Sequence, residues 1–154
     1  ENILEIILEG VAETKKSASF LTTCTLMTIQ YKLWVTHGTY YQNNTYLQDS
    51  LKSAQEAMAS PTGWEEWDTP TIDCCMRVLI ASEQYAAACN ALGEIIQIFY
   101  ELDEEAKGCK YVELHACMLQ KMRKTKKAAK TMLALLDIRF LEQHKREEPE
   151  ILFQ

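Results

Sequence analysis

Histidine and cysteine are the residues here best suited to nucleophilic chemistry, and the two types come closest together around His115. Cys117 lies two positions after it and Cys109 six positions before it, so a Cys–His nucleophile pair is the first activity to consider. Side chains two apart on a helix point in different directions, however. The sequence also has no nucleophile elbow, no HExxH, no P-loop and no GxGxxG motif. We therefore predict that the chain is not an enzyme.

The spacing of metal-ligating side chains gives little support for a metal site. Cys109, Glu113 and Cys117 would share one helical face, but a zinc site needs further ligands that the sequence does not place nearby. Cys74 and Cys75 are adjacent, so on a helix their side chains diverge by about 100°. We interpret the six cysteines as reduced, mostly buried thiols. We predict no metal and no cofactor, and leave open a redox role for Cys74 and Cys75.

A run of six cations is the strongest surface feature of the sequence. It could recruit an acidic peptide, a phosphate or RNA, or it could be a solvated corner between helices. The net charge of −6 disfavours nucleic acid, whose binding rests on neutralising phosphates. If the run binds a ligand, we expect an acidic protein segment. The residues in contact would be Lys121, Arg123, Lys124, Lys126, Lys127 and Lys130.

Two tryptophans, Trp64 and Trp67, stand in an acidic linker with Glu65, Glu66 and Asp68. They are candidate partner-binding residues, because aromatic anchors often dominate the energetics of an interface. The alternative is that both rings seal the gap between neighbouring helix pairs.

A polar-aromatic patch around Tyr40, Tyr41 and Tyr46 leaves a similar choice open. It is either the rim of a peptide site or a cap on the local core.

The bulk composition suits one globular domain built from helices. The chain has 154 residues, 47% hydrophobic and 25% charged, with five glycines and three prolines, which favours long helices over many short strands. No uninterrupted apolar run is long enough to span a bilayer. The cysteines are scattered and form no CxxC pattern, so we expect an intracellular protein, cytoplasmic or nuclear.

An apolar pattern recurs along the chain with a period of 41 residues. Each copy is spaced by four, three and four positions, which is one face of a helix. The three copies are Leu47, Leu51, Ala54 and Met58; then Ala88, Leu92, Ile95 and Phe99; then Ala129, Leu133, Leu136 and Phe140.

This period predicts an all-α chain of about seven helices, with a leading helix followed by three stacked antiparallel pairs. We expect a single domain over 1–148, with pairs at about 20–59, 70–102 and 106–144. The predicted helices are Asn2–Glu13, Phe20–His37, Tyr41–Ala59, Pro70–Ala81, Gln84–Leu102, Ala106–Met122 and Thr125–His144.

Local residues mark several of the predicted helix ends. Gly38 is expected as the C′ glycine after the helix that ends at His37, and Thr69-Pro70 as the N-cap and first helical residue. The segment Lys121–Lys130 contains neither Gly nor Pro, which leaves a continuous helix open as an alternative there.

The segment Tyr85–Leu92 resembles the tetratricopeptide repeat (TPR) family, with an aromatic, then Ala88 three residues on, then Leu92 four further. Lys126–Leu133 is similar, although Lys126 replaces the aromatic. The usual period of the family is shorter, about 34 residues, and its first-helix motif is not evident. The resemblance implies a TPR-like α-solenoid whose extended surface takes peptides or helices from partner proteins.

The last residues, Glu150–Gln154, resemble the recognition site of picornavirus 3C proteases. The tail over 149–154 is therefore a protease-site scar from cloning, a native viral terminus, or a chance match.

The function predicted from these features is a non-catalytic protein–protein interaction scaffold, a segment of a larger helical-repeat protein. It would bind a peptide or helix of a partner, with neither nucleic acid nor membrane involved. The alternative is a compact helical bundle that acts as a viral or regulatory effector on a host or signalling protein.

Overall fold

The computed structural model describes residues 2–15, 19–124 and 126–134. The regular secondary structure of this part of the chain is entirely helical, with no strand, which confirms the predicted all-α fold of about seven helices. The helices are α1 (Asn2–Thr14), α2 (Phe20–Leu33), α3 (Thr45–Ala59), α4 (Thr69–Ala81), α5 (Tyr85–Glu101), α6 (Glu105–Lys121) and α7 (126–134).

The chain divides into two compact units, 1–84 and 85–154, and each is described by itself. In unit 1, α4 packs against both α2 and α3, which also pack along each other. The core between them has no solvent exposure at Met27, Ala54 and Val78. One polar pair lies within it: the Gln30 amide is 2.7 Å from the hydroxyl of Ser53, and both side chains are buried.

Unit 2 is built on the packing of α5 against α6. Its core contains Leu92 and Ile95 from α5, and the Phe99 ring stacks on Tyr111 of α6 at 5.5 Å between centroids. In the predicted grouping, α5 and α6 belong to successive pairs. In a stack, the second helix of one pair also contacts the first of the next, so the grouping into three pairs over 1–148 stays a prediction.

The predicted apolar face is buried to a different degree in each of its three copies. All four α5 positions of the repeat are buried, whereas in the α3 copy only Ala54 is buried and the other three are partly exposed. In α7 the expectation is wrong, because Ala129 is exposed and Leu133 is 61% exposed. The buried residue there is Ala128. Leu136 and Phe140 lie outside the described residues, as do the rest of the predicted last helix and the tail.

The spacing of the turns that precede the helices explains why the buried residue in α7 is Ala128 and not Ala129. At three helix ends, a residue other than glycine adopts the left-handed backbone conformation: Glu83, Asp103 and Arg123. These three residues are spaced 20 residues apart. At each end the next N–H donates to the carbonyl five positions back, at 2.8, 2.8 and 2.9 Å, which is a Schellman turn. The spacing from Glu83 to Arg123 is thus 40 residues, one fewer than the period inferred from the apolar pattern.

These turns also decide the open question at Lys121–Lys130. The chain leaves the helical path between α6 and α7, where Arg123 adopts a φ of 61°. A continuous helix is therefore wrong. Five residues after each of the three turns lies a small buried residue, which lets the following helix pack closely: Ala88, Gly108 and Ala128.

Two predicted helix ends are off by a few residues. The N-cap of α4 is Asp68, whose carboxylate accepts from the N–H of Thr71 at 2.8 Å, so the predicted cap Thr69 is already helical. The predicted C′ glycine, Gly38, lies inside a π-helical turn (Trp34–Gly38) instead. Glycine is needed there because an added Cβ would come within 2.6 Å of the Asn43 carbonyl oxygen.

Candidate functional site: a basic groove in unit 2

A groove of about 440 Å³ runs along unit 2 between α5, α6 and α7. The groove forms because the turn at Arg123 folds the chain back, so that one face of α7 lines it. We call it the basic groove. It is lined by Ala86, Cys89, Asn90, His115, Leu119, Met122, Lys124, Lys127, Lys130 and Thr131.

The six predicted cations divide into two sets of three. Lys124, Lys127 and Lys130 line the basic groove, and we call them the groove lysines. Lys127 and Lys130 are three residues apart on α7 and therefore share a face. The remaining three are exposed but are not part of the lining, and we call them the outer cations: Lys121, Arg123 and Lys126.

Within the described part of the chain, the lining of the basic groove carries positive charge alone. None of the described residues that line it is acidic. Within the ranges that the structure describes, the groove lysines form no ion pair, whereas Lys107 pairs with Glu104 at 3.3 Å. Three unpaired ammonium groups along one wall favour an anionic ligand, and their attraction weakens as salt increases.

The floor of the groove is less polar than its wall. Leu119 and Cys89 are buried there, and Met122 is half-buried. Burial lowers the pKa of His115, which favours the neutral ring at neutral pH. Burial raises the pKa of the Cys89 thiol, an effect that the charge of Lys124 partly offsets. A protonated thiol is a poor nucleophile, so the arrangement suits binding better than covalent chemistry.

The structure separates the histidine and cysteines that the sequence analysis placed together. His115 lines the basic groove, Cys117 is exposed outside its lining, and Cys109 packs in a core cluster with Val112. The cysteine that shares the groove with His115 is Cys89, which sequence reasoning missed because it lies on a different helix. No local signal could have revealed this juxtaposition.

Unit 1 holds three buried thiols close enough to influence one another. Burial, together with the neighbouring Asp68 and Cys74, raises the pKa of Cys24 to about 11. Burial, together with Cys74 and Cys24, raises that of Cys75 to about 12. Burial also raises the pKa of Cys74. No group of three or more metal-ligating side chains occurs within the described ranges.

Trp67 fills a gap in the packing of unit 1. It is 7% exposed, and its ring meets the edge of Phe20 at 5.2 Å and the Trp64 ring at 4.4 Å between centroids. Trp64 is half-buried in a short 3-10 turn (Trp64–Glu66). This geometry favours the sealing role for Trp67, while a partner contact through Trp64 stays a prediction.

A second groove, of about 520 Å³, lies beside this tryptophan pair in unit 1. We call it the acidic groove, because Glu65 and Glu66 are the charged residues of its lining and both are exposed. It is lined by Phe20, Leu21, Pro61, Thr62, Gly63, Glu65 and Glu66.

The tyrosine patch of the sequence analysis is a ladder of rings at the turn before α3. Tyr41 lies 4.5 Å from His37 and 4.9 Å from Tyr40 between ring centroids. Tyr40 and Tyr41 are exposed, whereas Tyr46 is half-buried. The partial burial of Tyr46 is in keeping with a cap on the local core, while a peptide rim through Tyr40 and Tyr41 stays a prediction.

Comparison with known proteins does not assign this chain to a family: no family model, curated protein or solved structure matches it. Within the described ranges, none of the helices combines the length and apolar character needed to cross a membrane.

Proposed function

We propose that the chain is a non-catalytic protein-interaction module, a segment of a larger helical-repeat protein that binds an acidic peptide or helix of a partner in the basic groove. The observation that carries the proposal is the convergence of the three groove lysines, which lack ion pairs in the described structure. A charge-complementary partner would gain both association rate and specificity from these ammonium groups.

The helical-repeat part of the proposal is supported by the evenly spaced turns at Glu83, Asp103 and Arg123. It is also supported by the TPR-like segment of α5, whose Ala88 and Leu92 have no solvent exposure. Small residues at such positions allow close packing of neighbouring helices. An intracellular setting, cytoplasmic or nuclear, belongs to the same proposal and is in keeping with six free cysteines.

The second candidate is a compact helical bundle that acts as a viral or regulatory effector. A bundle closed around one core would cover the apolar side chains of its first helix. In α1, however, Ile3 is 76% exposed and Ile6 66% exposed, while Val11 is buried. An open apolar face is what a stacked array presents where a further repeat or cap is required, and this favours the helical-repeat proposal.

Affinity capture from a native lysate tests the proposal when two charge-reversal variants are compared. The groove variant is K124E/K127E/K130E, and the matched control changes the outer cations, K121E/R123E/K126E. Both alter the net charge equally, so general electrostatic attraction falls equally. We expect the groove variant to weaken capture of an acidic partner by at least about tenfold, with a much smaller loss in the control.

Equal losses in the two variants would show that total charge, and not the basic groove, attracts the partner. Full retention by the groove variant would reject the groove as the binding site. Far-ultraviolet circular dichroism of each variant verifies that its helices remain folded.

A further inference from the structure

The wall and the floor of the basic groove differ in chemistry, and that difference bears on what the groove selects. The wall carries the three groove lysines. The floor between α5 and α6 presents Ala86, Leu119 and Met122. An anion alone would satisfy the wall but would leave this apolar floor in contact with water. Covering apolar surface is favourable by about 25 cal/mol per Å², so the better occupant touches both.

The size of the groove points the same way. Its volume of about 440 Å³ falls in the range of roughly 300–1,000 Å³ found for ligand-binding clefts and cavities. A carboxylate needs far less space. The volume suits a large apolar side chain held between the floor and the aliphatic stems of the lysines.

The spacing of the lysines suits a helical ligand. Lys127 and Lys130 are three residues apart on α7, a rise of about 4.5 Å along the helix axis. Carboxylates at i and i+3 or i+4 of a partner helix have a similar spacing, with an apolar residue on the same face.

The lining also argues against nucleic acid. It includes no arginine among the described residues and no aromatic ring other than the half-buried His115. Proteins that bind single strands stack bases on aromatic or guanidinium planes, and arginine is the side chain suited to bidentate phosphate contacts.

We propose that the basic groove selects a helical segment in which one large apolar side chain is flanked, on the same face, by carboxylates. This inference rests on the proposed function and adds the apolar anchor to it. The anchor sits on Leu119 and Met122, and the flanking carboxylates meet the groove lysines.

Fluorescence anisotropy with three synthetic helical peptides tests the anchor. The first has a leucine between glutamates on one helical face. The second replaces that leucine with alanine and keeps every charge, and the third keeps the leucine but replaces the glutamates with glutamine. With the intact chain, we expect the alanine peptide to bind about tenfold more weakly than the leucine peptide, and the glutamine peptide to bind weakest.

Two variants of the groove floor make the test independent of folding. Ala86→Gln places a longer polar side chain at an exposed helical position, where glutamine is well tolerated. Met122→Gln keeps a similar length but makes the floor polar. In both, the preference for leucine over alanine should shrink to less than about threefold, while affinity for the alanine peptide should change little. Thermal melts confirm that each variant is folded.

The outcomes separate the inference from the proposed function. Equal binding of the leucine and alanine peptides, abolished by K124E/K127E/K130E, would overturn the anchor and leave an acidic-peptide site. Failure of every acidic peptide to bind would overturn both. A single-stranded RNA oligonucleotide that displaced the leucine peptide at equal concentration would overturn the choice of ligand.

Discussion

The acidic groove of unit 1 and the basic groove of unit 2 differ in the sign of the charged residues that line them and in the elements that form their walls. The acidic groove lies beside the connection between α3 and α4, whose short 3-10 turn carries Glu65 and Glu66. The basic groove is formed by three helices, with lysines from one face of α7 and from the turn before it. Helices hold side chains more rigidly than loops do, so the basic groove is better suited to selective binding.

The comparison also shows that conspicuous residues need not be the functional ones. The tryptophan pair of unit 1 stood out in the sequence, yet Trp67 is almost wholly committed to packing. The cations of unit 2 looked like one charged corner, yet only three of them line the basic groove. Whether a tryptophan or a cation can contact a ligand depends on the burial and orientation of its side chain, and both are set by the neighbouring helices.

Replacing Trp67 should have the largest effect on stability. Trp67→Ala removes a buried ring in contact with Phe20 and Trp64, so we expect a loss of about 4 kcal/mol in the free energy of unfolding. Trp64→Ala, at a half-buried position, should cost about 1–2 kcal/mol. Urea unfolding followed by tryptophan fluorescence measures both, since all three tryptophans lie in unit 1. A small effect of Trp67→Ala would contradict the sealing role.

Two leucines 41 residues apart provide the sharpest test of the repeat register. Leu92 has no solvent exposure and Leu133 is 61% exposed. Leu92→Ala should therefore cost about 3 kcal/mol, and Leu133→Ala no more than about 0.5 kcal/mol. Urea unfolding followed by circular dichroism at 222 nm measures the loss of helix in each variant relative to the unmodified chain. Equal losses in the free energy of unfolding would support the 41-residue period predicted from the sequence, in which Ala129 and Leu133 face the core.

The buried polar pair of unit 1 should contribute less than these apolar contacts. In the favourable orientation, the two N–H groups of the Gln30 amide have three acceptors within reach: the Ser53 hydroxyl and the carbonyls of Leu26 and Asp49. Gln30→Ala leaves the buried Ser53 hydroxyl without this partner, and we expect a loss of about 2 kcal/mol. The double variant Q30A/S53A should be less destabilised than the sum of the two single variants. Additive losses would show that the two side chains do not interact.

The N-cap of α4 should give the smallest effect and one that depends on pH. Side-chain and backbone hydrogen bonds from Thr71 hold the pKa of Asp68 below its ordinary value of 3.8. Because the folded pKa is lowered, the stabilisation is present above pH 3.8 and is lost as the pH falls through the folded value. Asp68→Ala should cost about 1 kcal/mol at neutral pH.

Asp68→Asn is the matched variant for this cap, because asparagine caps a helix without titrating. Its stability relative to the native chain should improve as the pH drops below 3.8. Parallel urea titrations across that range measure the difference. A constant gap between the two proteins would show that the Asp68 charge does not contribute to the cap.

Helices and their approximate ends were predictable because they depend on local patterns. The period-3.6 spacing of Ala88, Leu92, Ile95 and Phe99 identified the buried face of α5. The signals at other helix ends were weaker. Asp68 and Thr69 are both good N-caps, and only the hydrogen bond to Thr71 distinguishes them. The left-handed residues Glu83 and Arg123 carry no glycine signal, so the predicted break between Met122 and Thr125 had no local turn signal and a continuous helix stayed open as an alternative.

The sequence by itself determined that the chain is helical, that its apolar residues recur along those helices, and that its cations cluster around residues 121–130. These properties follow from side-chain type and short-range spacing. The tertiary structure alone decided that Lys124, Lys127 and Lys130 face one groove, and that His115 and Cys89 share it. The reason is that α5, α6 and α7 come together only through the turn at Arg123. Contacts between residues far apart in sequence produce no periodic pattern from which they could be predicted.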